Sequence, residues 1–283
     1  MNIGIIGLGN MGFPLFKKLI RNNFNVNVLI EKNNTQKLIK CNVYKQNNLN
    51  DFVKNSSTII SVLPNSKITL DLVNNINTYC FNDQKKWLDI CSSCPNDVKT
   101  INKILNENNI KYIDAPVSGG PRGMADGTLT SIVSGPKKTY EDMLPIIKLY
   151  SDKIYYISHV VGTSSMIKIA NNTLLALNLI SAAEILNILD KKNINIKEAL
   201  HFINHSSGRS WATLQRYPDH ILTNKYDYGF SYELHKKDIL TFLNNTEISD
   251  KFLLDKLKDI YQDNNSFLGE NMDHTEIVKI IKK

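Results

Sequence analysis

The chain has 283 residues, of which 42% are hydrophobic and 22% are charged, so it can bury a sizeable core and is neither a disordered nor a fibrous protein. Its length exceeds the usual size of a single core, which favours two modest domains over one. The formal net charge of +7 arises from 34 basic residues scattered among 27 acidic ones. We therefore expect no nucleic-acid partner, and the basic excess favours small anionic ligands instead.

Short apolar runs alternate with longer amphipathic stretches up to about residue 157. The apolar runs predict strands at residues 2–6, 25–30, 58–63, 86–90 and 111–114. The stretches between them predict helices at residues 11–21, 66–79 and 95–108. Alternating strands and helices imply right-handed crossovers and a mostly parallel sheet with both faces covered. The sequence therefore predicts a doubly wound α/β domain.

The pattern becomes helical after residue 157. A single long helical pattern covers residues 164–191, and further helices are predicted at 253–261 and 275–281. Residues 205–229, which include Gly208 and Pro218, predict an irregular loop. The second half of the chain is therefore expected to be all-helical.

Cysteine content and the apolar segments bear on the compartment. Four cysteines are too few for a disulfide scaffold, and the CxxC spacing of Cys91 and Cys94 lacks a second pair or a histidine at zinc spacing, so we expect no metal site. The chain begins on a strand and a turn, which leaves no room for a targeting peptide. We expect a cytoplasmic location, or the mitochondrial matrix if a presequence has been removed. Polar side chains such as Glu184 interrupt the most apolar run, 173–189, so we expect no membrane partner.

A glycine-rich turn, GLGNMG, lies between the first predicted strand and the first predicted helix. In such a turn the first glycine allows the bend, the second lets a pyrophosphate approach the backbone, and the third lets the helix pack on the strand. The position between strand and helix favours a dinucleotide site over a plain tight turn. The predicted cofactor-binding residues are Gly7, Leu8, Gly9, Asn10, Met11 and Gly12.

The choice between NAD and NADP depends on the end of the second strand. Glu31 lies 19 positions after Gly12, where a carboxylate binds the adenosine ribose hydroxyls, so the sequence favours NAD. The adjacent Lys32 could instead pair with the 2′-phosphate of NADP, so NADP is possible. Both residues could equally be ordinary solvated charges of a loop.

Two further segments carry candidate chemistry. Ser118, Gly119 and Gly120 form a bare turn whose hydroxyl and amides could hold a carboxylate, although a plain glycine-rich connection explains the spacing equally well. Lys168 and Asn172 project from one face of the long helix, four residues apart. A helical lysine is usually solvated, but the neighbours of Lys168 are apolar, and burial disfavours the charged form and suits a lysine to proton transfer. Asn172 could hold the same substrate oxygen.

Five motifs in order resemble the β-hydroxyacid dehydrogenase family, and within it the 3-hydroxyisobutyrate dehydrogenases. They are GLGNMG, DAPVSGG at 114–120, the segment 162–172, SSGRSW at 206–211 and FSYELHKKD at 230–238. The resemblance covers the whole chain. It implies an N-terminal NAD(P)-binding Rossmann domain over 1–161 and an all-helical C-terminal domain over 162–283, joined by the long helix. It further implies an active site in the cleft between them and a homodimer or homotetramer.

The resemblance also assigns roles to single residues. Lys168 matches the catalytic lysine, Asn172 the asparagine that assists it, and the turn 118–120 the loop that binds the substrate carboxylate. Further positions match residues that contact the cofactor: Leu63, Pro64, Ser92 and Lys237. Trp211 and Phe230 could wall the pocket or belong to the core. Ser164 departs from the family pattern, in which a second glycine soon follows the one matching Gly162.

The implied activity is reversible hydride transfer between a small 3-hydroxy acid and NAD(P), with Lys168 as general acid and base. With 3-hydroxyisobutyrate as substrate, the setting would be valine catabolism. The first alternative is a tartronate, glyoxylate or succinic semialdehyde reductase of the same family, since NMDHTEI at 271–277 resembles the C-terminal pattern of tartronate semialdehyde reductases. The second alternative is a non-catalytic dinucleotide-binding module, against which the presence of Lys168 speaks.

Overall fold

A computed structural model of the protein describes residues 1–29, 44–46, 48–76, 83–246, 252–262 and 271–281. The chain divides into two compact units, Met1–Lys168 and Ile169–Lys283. The division falls inside one long helix, whereas the sequence places the domain boundary just before that helix, after residue 161.

The first unit is built on one sheet, which has nine strands in the described residues. The strands are β1 (Asn2–Ile6), β2 (Asn25–Leu29), β3 (Tyr44–Gln46), β4 (Thr58–Ser61), β5 (Lys85–Asp89), β6 (Ile110–Asp114), β7 (Val117–Ser118), β8 (Leu129–Ser134) and β9 (Ser151–Ser158). Their order is β3-β2-β1-β4-β5-β6-β8-β7, and β9 pairs with β8. The pairs from β3 to β6 are parallel, and β8 pairs antiparallel with β6 and β7.

Helices cover both faces of this sheet. They are α1 (Gly12–Arg21), α2 (Leu49–Lys54), α3 (Ser66–Asn74), α4 (Pro95–Glu107), α5 (Gly120–Asp126) and α6 (Lys137–Ile147). Alternate strand residues enter two separate cores, so that Ile5 packs with Phe16 of α1, whereas Ile6 packs with Phe52 of α2. The predicted doubly wound fold is confirmed.

The predicted elements of this unit agree with the structure to within a few residues. β1 has the predicted bounds, β4 ends two residues earlier than expected, and α3 ends at Asn74. The last predicted residue of β2, residue 30, lies outside the described residues, as do residues 77–79 of the second predicted helix. Two strands and a helix after residue 128 were not predicted, namely β8, β9 and α6.

In the residues that the structure describes, the second unit is helical apart from one antiparallel bridge between Ser231 and Asp273. It contains most of α7 (Thr163–Lys191), α8 (Ile196–Asn204), a π-helix (Ala212–Ile221), α9 (Tyr232–Asn244), α10 (Phe252–Gln262) and a 3₁₀ helix (His274–Ile280). The predicted irregular loop at 205–229 is therefore wrong over the π-helix. Its side chains at Ala212, Tyr217 and Ile221 are buried in the core, and this burial outweighs the local effect of Pro218.

Helix α7 is long and apolar enough to cross a bilayer by length and composition alone. One side of it buries Ala176, Leu179 and Ala183 in the core of the second unit, together with Leu200 of α8. It is therefore a core helix of that unit.

Candidate active site

The glycine turn lies where the strand order of the sheet reverses. β2 and β3 extend to one side of β1, whereas β4, β5 and β6 extend to the other. In open α/β sheets ligands bind at such a switch point, beyond the carboxyl ends of the strands. The turn follows Ile6 of β1, which pairs with Ser61 of β4.

The turn has the shape that a dinucleotide diphosphate needs. A Cβ atom on Gly12 would lie 1.8 Å from the carbonyl oxygen of Gly7, so only glycine lets α1 start this close to β1. At Gly9 an added Cβ would meet nothing within 4 Å, which leaves open space beside the backbone. The first turn of α1 contains no acidic residue, and within the described chain no side chain caps its start at Met11. These features fit an anionic group at the helix N-terminus.

The loop after β4 packs against the glycine turn, and the loop after β5 contacts that loop. A Cβ on Gly7 would lie 3.0 Å from Cδ2 of Leu63, in the loop after β4. The backbone N–H of Leu63 donates to the sulfur of Cys91, after β5, at 3.1 Å. The structure therefore brings together the loops that carry Leu63, Pro64 and Ser92. Among the predicted cofactor-binding residues, Leu8 is buried, whereas Asn10 and Pro64 are exposed. Glu31, on which the choice of NAD rests, lies outside the described residues, as does Lys32.

The predicted carboxylate loop connects β7 to α5. Ser118 and Gly120 are half-buried and Gly119 is exposed. An added Cβ on Gly120 would meet nothing within 4 Å, so the backbone is open to a ligand at this point. The loop belongs to the same unit as the glycine turn.

The start of α7 is held by a buried carboxylate at the end of β6. Oδ2 of Asp114 accepts hydrogen bonds from the backbone N–H groups of Gly162 and Ser165, each at 3.1 Å. The hydroxyls of Ser164 and Ser165 donate to the same carboxylate at 2.7 and 2.8 Å. A negative charge at a helix N-terminus is also favoured by the helix dipole. Asp114 therefore fixes the first turn of α7 to the sheet.

This anchor accounts for the serine that replaces the family glycine. Ser164 is fully buried, and its hydroxyl oxygen also lies 2.9 Å from the carbonyl oxygen of Asp114 and 2.7 Å from the Ser134 hydroxyl. Burial raises the pKa of Asp114 to about 6, although the hydrogen bonds from Ser164 and Ser165 oppose this shift. Above pH 7 the carboxyl group is therefore mostly ionised and acts only as an acceptor.

Lys168 lies on α7 one turn after this anchor. Its side chain is only 7% exposed, whereas the neighbouring Ile167 is 37% exposed. Lysine is rarely buried without a specific partner or task, so an exposed isoleucine beside a buried lysine reverses the usual order. This reversal marks Lys168 as a functional candidate.

In the second unit the side chains of Asn172 and Lys237 both contact the carboxylate of Asp238, a residue that was not among the predicted site residues. The Asn172 side-chain amide donates to Oδ2 of Asp238 at 2.7 Å. The Lys237 ammonium lies 3.0 Å from Oδ1 of the same carboxylate. His235, one turn earlier on α9, contacts the Asn172 carbonyl oxygen through Nε2 at 2.9 Å. The aspartate beside Lys237 was the available sequence signal for this network.

The two candidate pocket aromatics differ in their surroundings. Phe230 is half-buried, and its ring centroid lies 5.2 Å from that of His235 and 5.3 Å from that of His274. Trp211 is exposed, at the residue before the π-helix. Phe230 therefore packs within the second unit, whereas Trp211 presents its ring outward.

Family models match almost the whole chain. The NAD binding domain of 6-phosphogluconate dehydrogenase matches residues 2–158, which is more than half of the sequence. The NAD-binding domain of NADP-dependent 3-hydroxyisobutyrate dehydrogenase matches residues 162–281. The chain belongs to the β-hydroxyacid dehydrogenase family. It is an NAD(P)-dependent oxidoreductase.

Individual relatives of this dehydrogenase agree with the family models. The mitochondrial 3-hydroxyisobutyrate dehydrogenase of Drosophila melanogaster is 29% identical over 246 residues, 84% of this chain and 75% of the relative. The 2-(hydroxymethyl)glutarate dehydrogenase of Eubacterium barkeri is 29% identical over 243 residues, 84% and 80% of the two chains. A solved 3-hydroxyisobutyrate dehydrogenase of Mycobacterium tuberculosis has the same fold, with a TM-score of 0.90 over 100% of this chain and 99% of that one, at 21% identity.

The Asp114 anchor predicts a specific loss of stability. Asp114→Asn removes the negative charge and one of the two acceptor oxygens, so the donors of the first turn of α7 are no longer all satisfied, and we expect the free energy of unfolding in urea to fall by about 2–4 kcal/mol. Ser165→Ala, which removes the hydrogen bond from the Ser165 hydroxyl to Oδ1 of Asp114, should cost about 1 kcal/mol. Asp126→Asn on the exposed end of α5 should change little, and equal losses in Asp114→Asn and Asp126→Asn would refute the anchor.

Proposed function

We propose that this dehydrogenase interconverts a small 3-hydroxy carboxylic acid and its semialdehyde, with Lys168 as the general acid and base. The observation that carries the assignment is the burial of Lys168 on the helix that Asp114 anchors. The relatives named above act on 3-hydroxyisobutyrate and 2-(hydroxymethyl)glutarate. Both compounds carry a hydroxymethyl group on the carbon next to a carboxylate. A site that binds one carboxylate and one hydroxyl group fits this class.

The glycine turn and the loops at Leu63, Pro64 and Ser92 would hold the cofactor, together with Lys237. When bound, NAD(P)⁺ supplies the hydride acceptor. The backbone at Ser118–Gly120 would hold the substrate carboxylate and thereby orient the carbinol carbon. We propose NAD as the preferred cofactor, because Glu31 occupies the position of the ribose-binding carboxylate.

The proton transfer belongs to Lys168. During oxidation the neutral amine takes the hydroxyl proton, the C–H bond breaks with its electron pair leaving as hydride, and the carbinol carbon becomes a carbonyl carbon. During reduction the ammonium form of Lys168 returns the proton to the carbonyl oxygen. Burial of the side chain keeps competing water away from this proton.

The segment 271–277, whose pattern suggests the reductase alternative, packs within the second unit. Asp273 caps the 3₁₀ helix through the backbone N–H of Thr275 at 3.0 Å, and His274 and Ile277 are buried. These residues therefore have a structural role in the second unit.

A second copy of the chain is the proposed partner. Leu174, Ile185 and Ile188 lie on one side of α7 and are each more than half exposed, and Phe202 of α8 is 72% exposed. Such a stripe of exposed apolar side chains along a helix is typical of an interface. Together with the family resemblance it supports a homodimer or a homotetramer.

The compartment of the protein is a further proposal, which rests on the relatives. We propose the cytoplasm, or the mitochondrial matrix if a presequence has been removed, because the Drosophila relative is named as mitochondrial. Fractionation of cells that express the tagged full-length chain would decide between the two.

The proposed reaction is tested by a substrate panel with both cofactors. We expect NAD-dependent oxidation of 3-hydroxyisobutyrate or 2-(hydroxymethyl)glutarate, with a higher kcat/KM for NAD than for NADP. Lys168→Ala should lower kcat by about 10²–10⁴-fold, the usual contribution of a general acid or base, while leaving cofactor affinity nearly unchanged.

The matched control is Lys191→Ala, at the exposed end of the same helix, which should retain wild-type kcat. Full activity of Lys168→Ala would refute the role of Lys168. Reduction of tartronate, glyoxylate or succinic semialdehyde at a much higher kcat/KM than any 3-hydroxy acid would favour the reductase alternative.

The interface proposal is tested by sedimentation equilibrium. The wild-type chain should sediment as a dimer or a tetramer, and Ile185→Glu/Ile188→Glu should lower the assembly state because it buries charge without a partner. Phe252→Ser, on the exposed side of α10, serves as the control and should keep the wild-type state. A monomeric wild-type chain would contradict the proposal.

A further inference from the structure

Two residues of α9 contact Asn172, one at its backbone carbonyl and one at its side-chain amide. His235 Nε2 lies 2.9 Å from the Asn172 carbonyl oxygen, and the side-chain nitrogen of Asn172 lies 2.7 Å from Oδ2 of Asp238. All three residues are buried, with exposures of 2% or less. Because a carbonyl oxygen can only accept, the His235 ring must carry its proton on Nε2.

The carboxylate of Asp238 determines the orientation of the Asn172 side-chain amide, that is, the positions of its oxygen and its nitrogen. The oxygen and the nitrogen of an asparagine amide have nearly the same shape, so the hydrogen-bond partners decide the orientation. An ionised carboxylate only accepts, so the NH₂ group must face Asp238. The Lys237 ammonium lies 3.0 Å from the other carboxylate oxygen.

The amide oxygen of Asn172 consequently faces away from Asp238. It accepts a hydrogen bond from the Asn171 side chain at 3.2 Å. An amide oxygen has two lone pairs, so it can accept from a second donor as well. A donor role for the Asn172 nitrogen toward the substrate oxygen, which the sequence first suggests, would compete with the bond to Asp238.

We propose that Asp238 is a positioning residue that makes Asn172 a hydrogen-bond acceptor in the reaction. Asp238 accepts the hydrogen bond from the Asn172 amide nitrogen, and Asn172 Oδ1 accepts one from an O–H or N–H donor at the reacting centre. The inference rests on the proposed function, which places Asn172 beside the catalytic lysine on α7. Asp238 itself touches neither substrate nor cofactor in this account.

An exchange of the two side chains tests the direction of this hydrogen bond. Asn172→Asp alone sets two carboxylates against each other, and Asp238→Asn alone no longer fixes the amide, so we expect each to lower kcat by about 10²-fold. The double variant Asn172→Asp/Asp238→Asn restores one donor and one acceptor across the pair and still offers an oxygen at position 172. We expect its kcat to exceed that of Asn172→Asp by at least about tenfold, with the KM for the hydroxy acid near the wild-type value.

The outcome that would overturn the proposal is a double variant no more active than Asn172→Asp. That result would mean that the reaction needs a nitrogen donor at position 172. A merely structural pair would recover its stability in the double variant without recovering kcat, which would likewise overturn the acceptor role. Asp259→Asn, an exposed change on α10, is the control and should leave kcat unchanged.

Thermal unfolding separates this inference from the proposed function, because it needs no turnover. The double variant should unfold at a higher temperature than Asn172→Asp, since the hydrogen bond between the two positions is restored. If stability recovers but the wild-type chain oxidises no hydroxy acid, the pairing stands and the proposed function fails. If stability does not recover, the pairing itself is refuted.

Discussion

The carboxylate of Asp114 is the constraint on which the proposed site depends. It is fully buried at the carboxyl end of β6, where an ionised group must find donors or raise the energy of the fold. The donors come from the first turn of α7, through the backbone at Gly162 and Ser165 and the hydroxyls of Ser164 and Ser165. The chain that leaves β9 must therefore return to the carboxyl end of β6 before α7 begins. Lys168 is carried on the turn that follows.

A second buried carboxylate organises the neighbouring loop in the same way. Asp89 pairs with Asp114 in the parallel register of β5 and β6, and it accepts from Ser61 at 2.9 Å, from the backbone of Cys91 at 3.1 Å and from the Tyr112 hydroxyl at 2.9 Å. Burial raises the pKa of Asp89, and these hydrogen bonds oppose the shift. The loop at Cys91 in turn contacts Leu63, which packs on the glycine turn. Buried polar groups thus set the geometry of the cofactor loops, whereas the apolar faces of the strands set the fold.

Much of the fold could be predicted from sequence because its signals are local. The apolar run at residues 2–6 predicts both ends of β1 correctly, and the glycine turn lies between this strand and the first helix, as expected. The π-helix was missed because its turn is wider than the helical period and Pro218 indicates a break. The resemblance identified Lys168 and Asn172, but the contacts that anchor the start of α7 and that hold Asn172 join residues far apart in the sequence. Asp114 is 51 residues from Ser165, and Asn172 is 66 from Asp238, so no local pattern shows these contacts.

The attachment of α7 to Asp114 is tested most directly by amide hydrogen exchange at Gly162 and Ser165. In the wild-type protein both amides should exchange as slowly as those of β6, because they donate to a buried carboxylate. In Asp114→Asn they should exchange at least about tenfold faster, while the amides of β1 keep their wild-type rates. Exchange of Gly162 and Ser165 at the same rate in both proteins would show that something other than Asp114 holds the start of the helix.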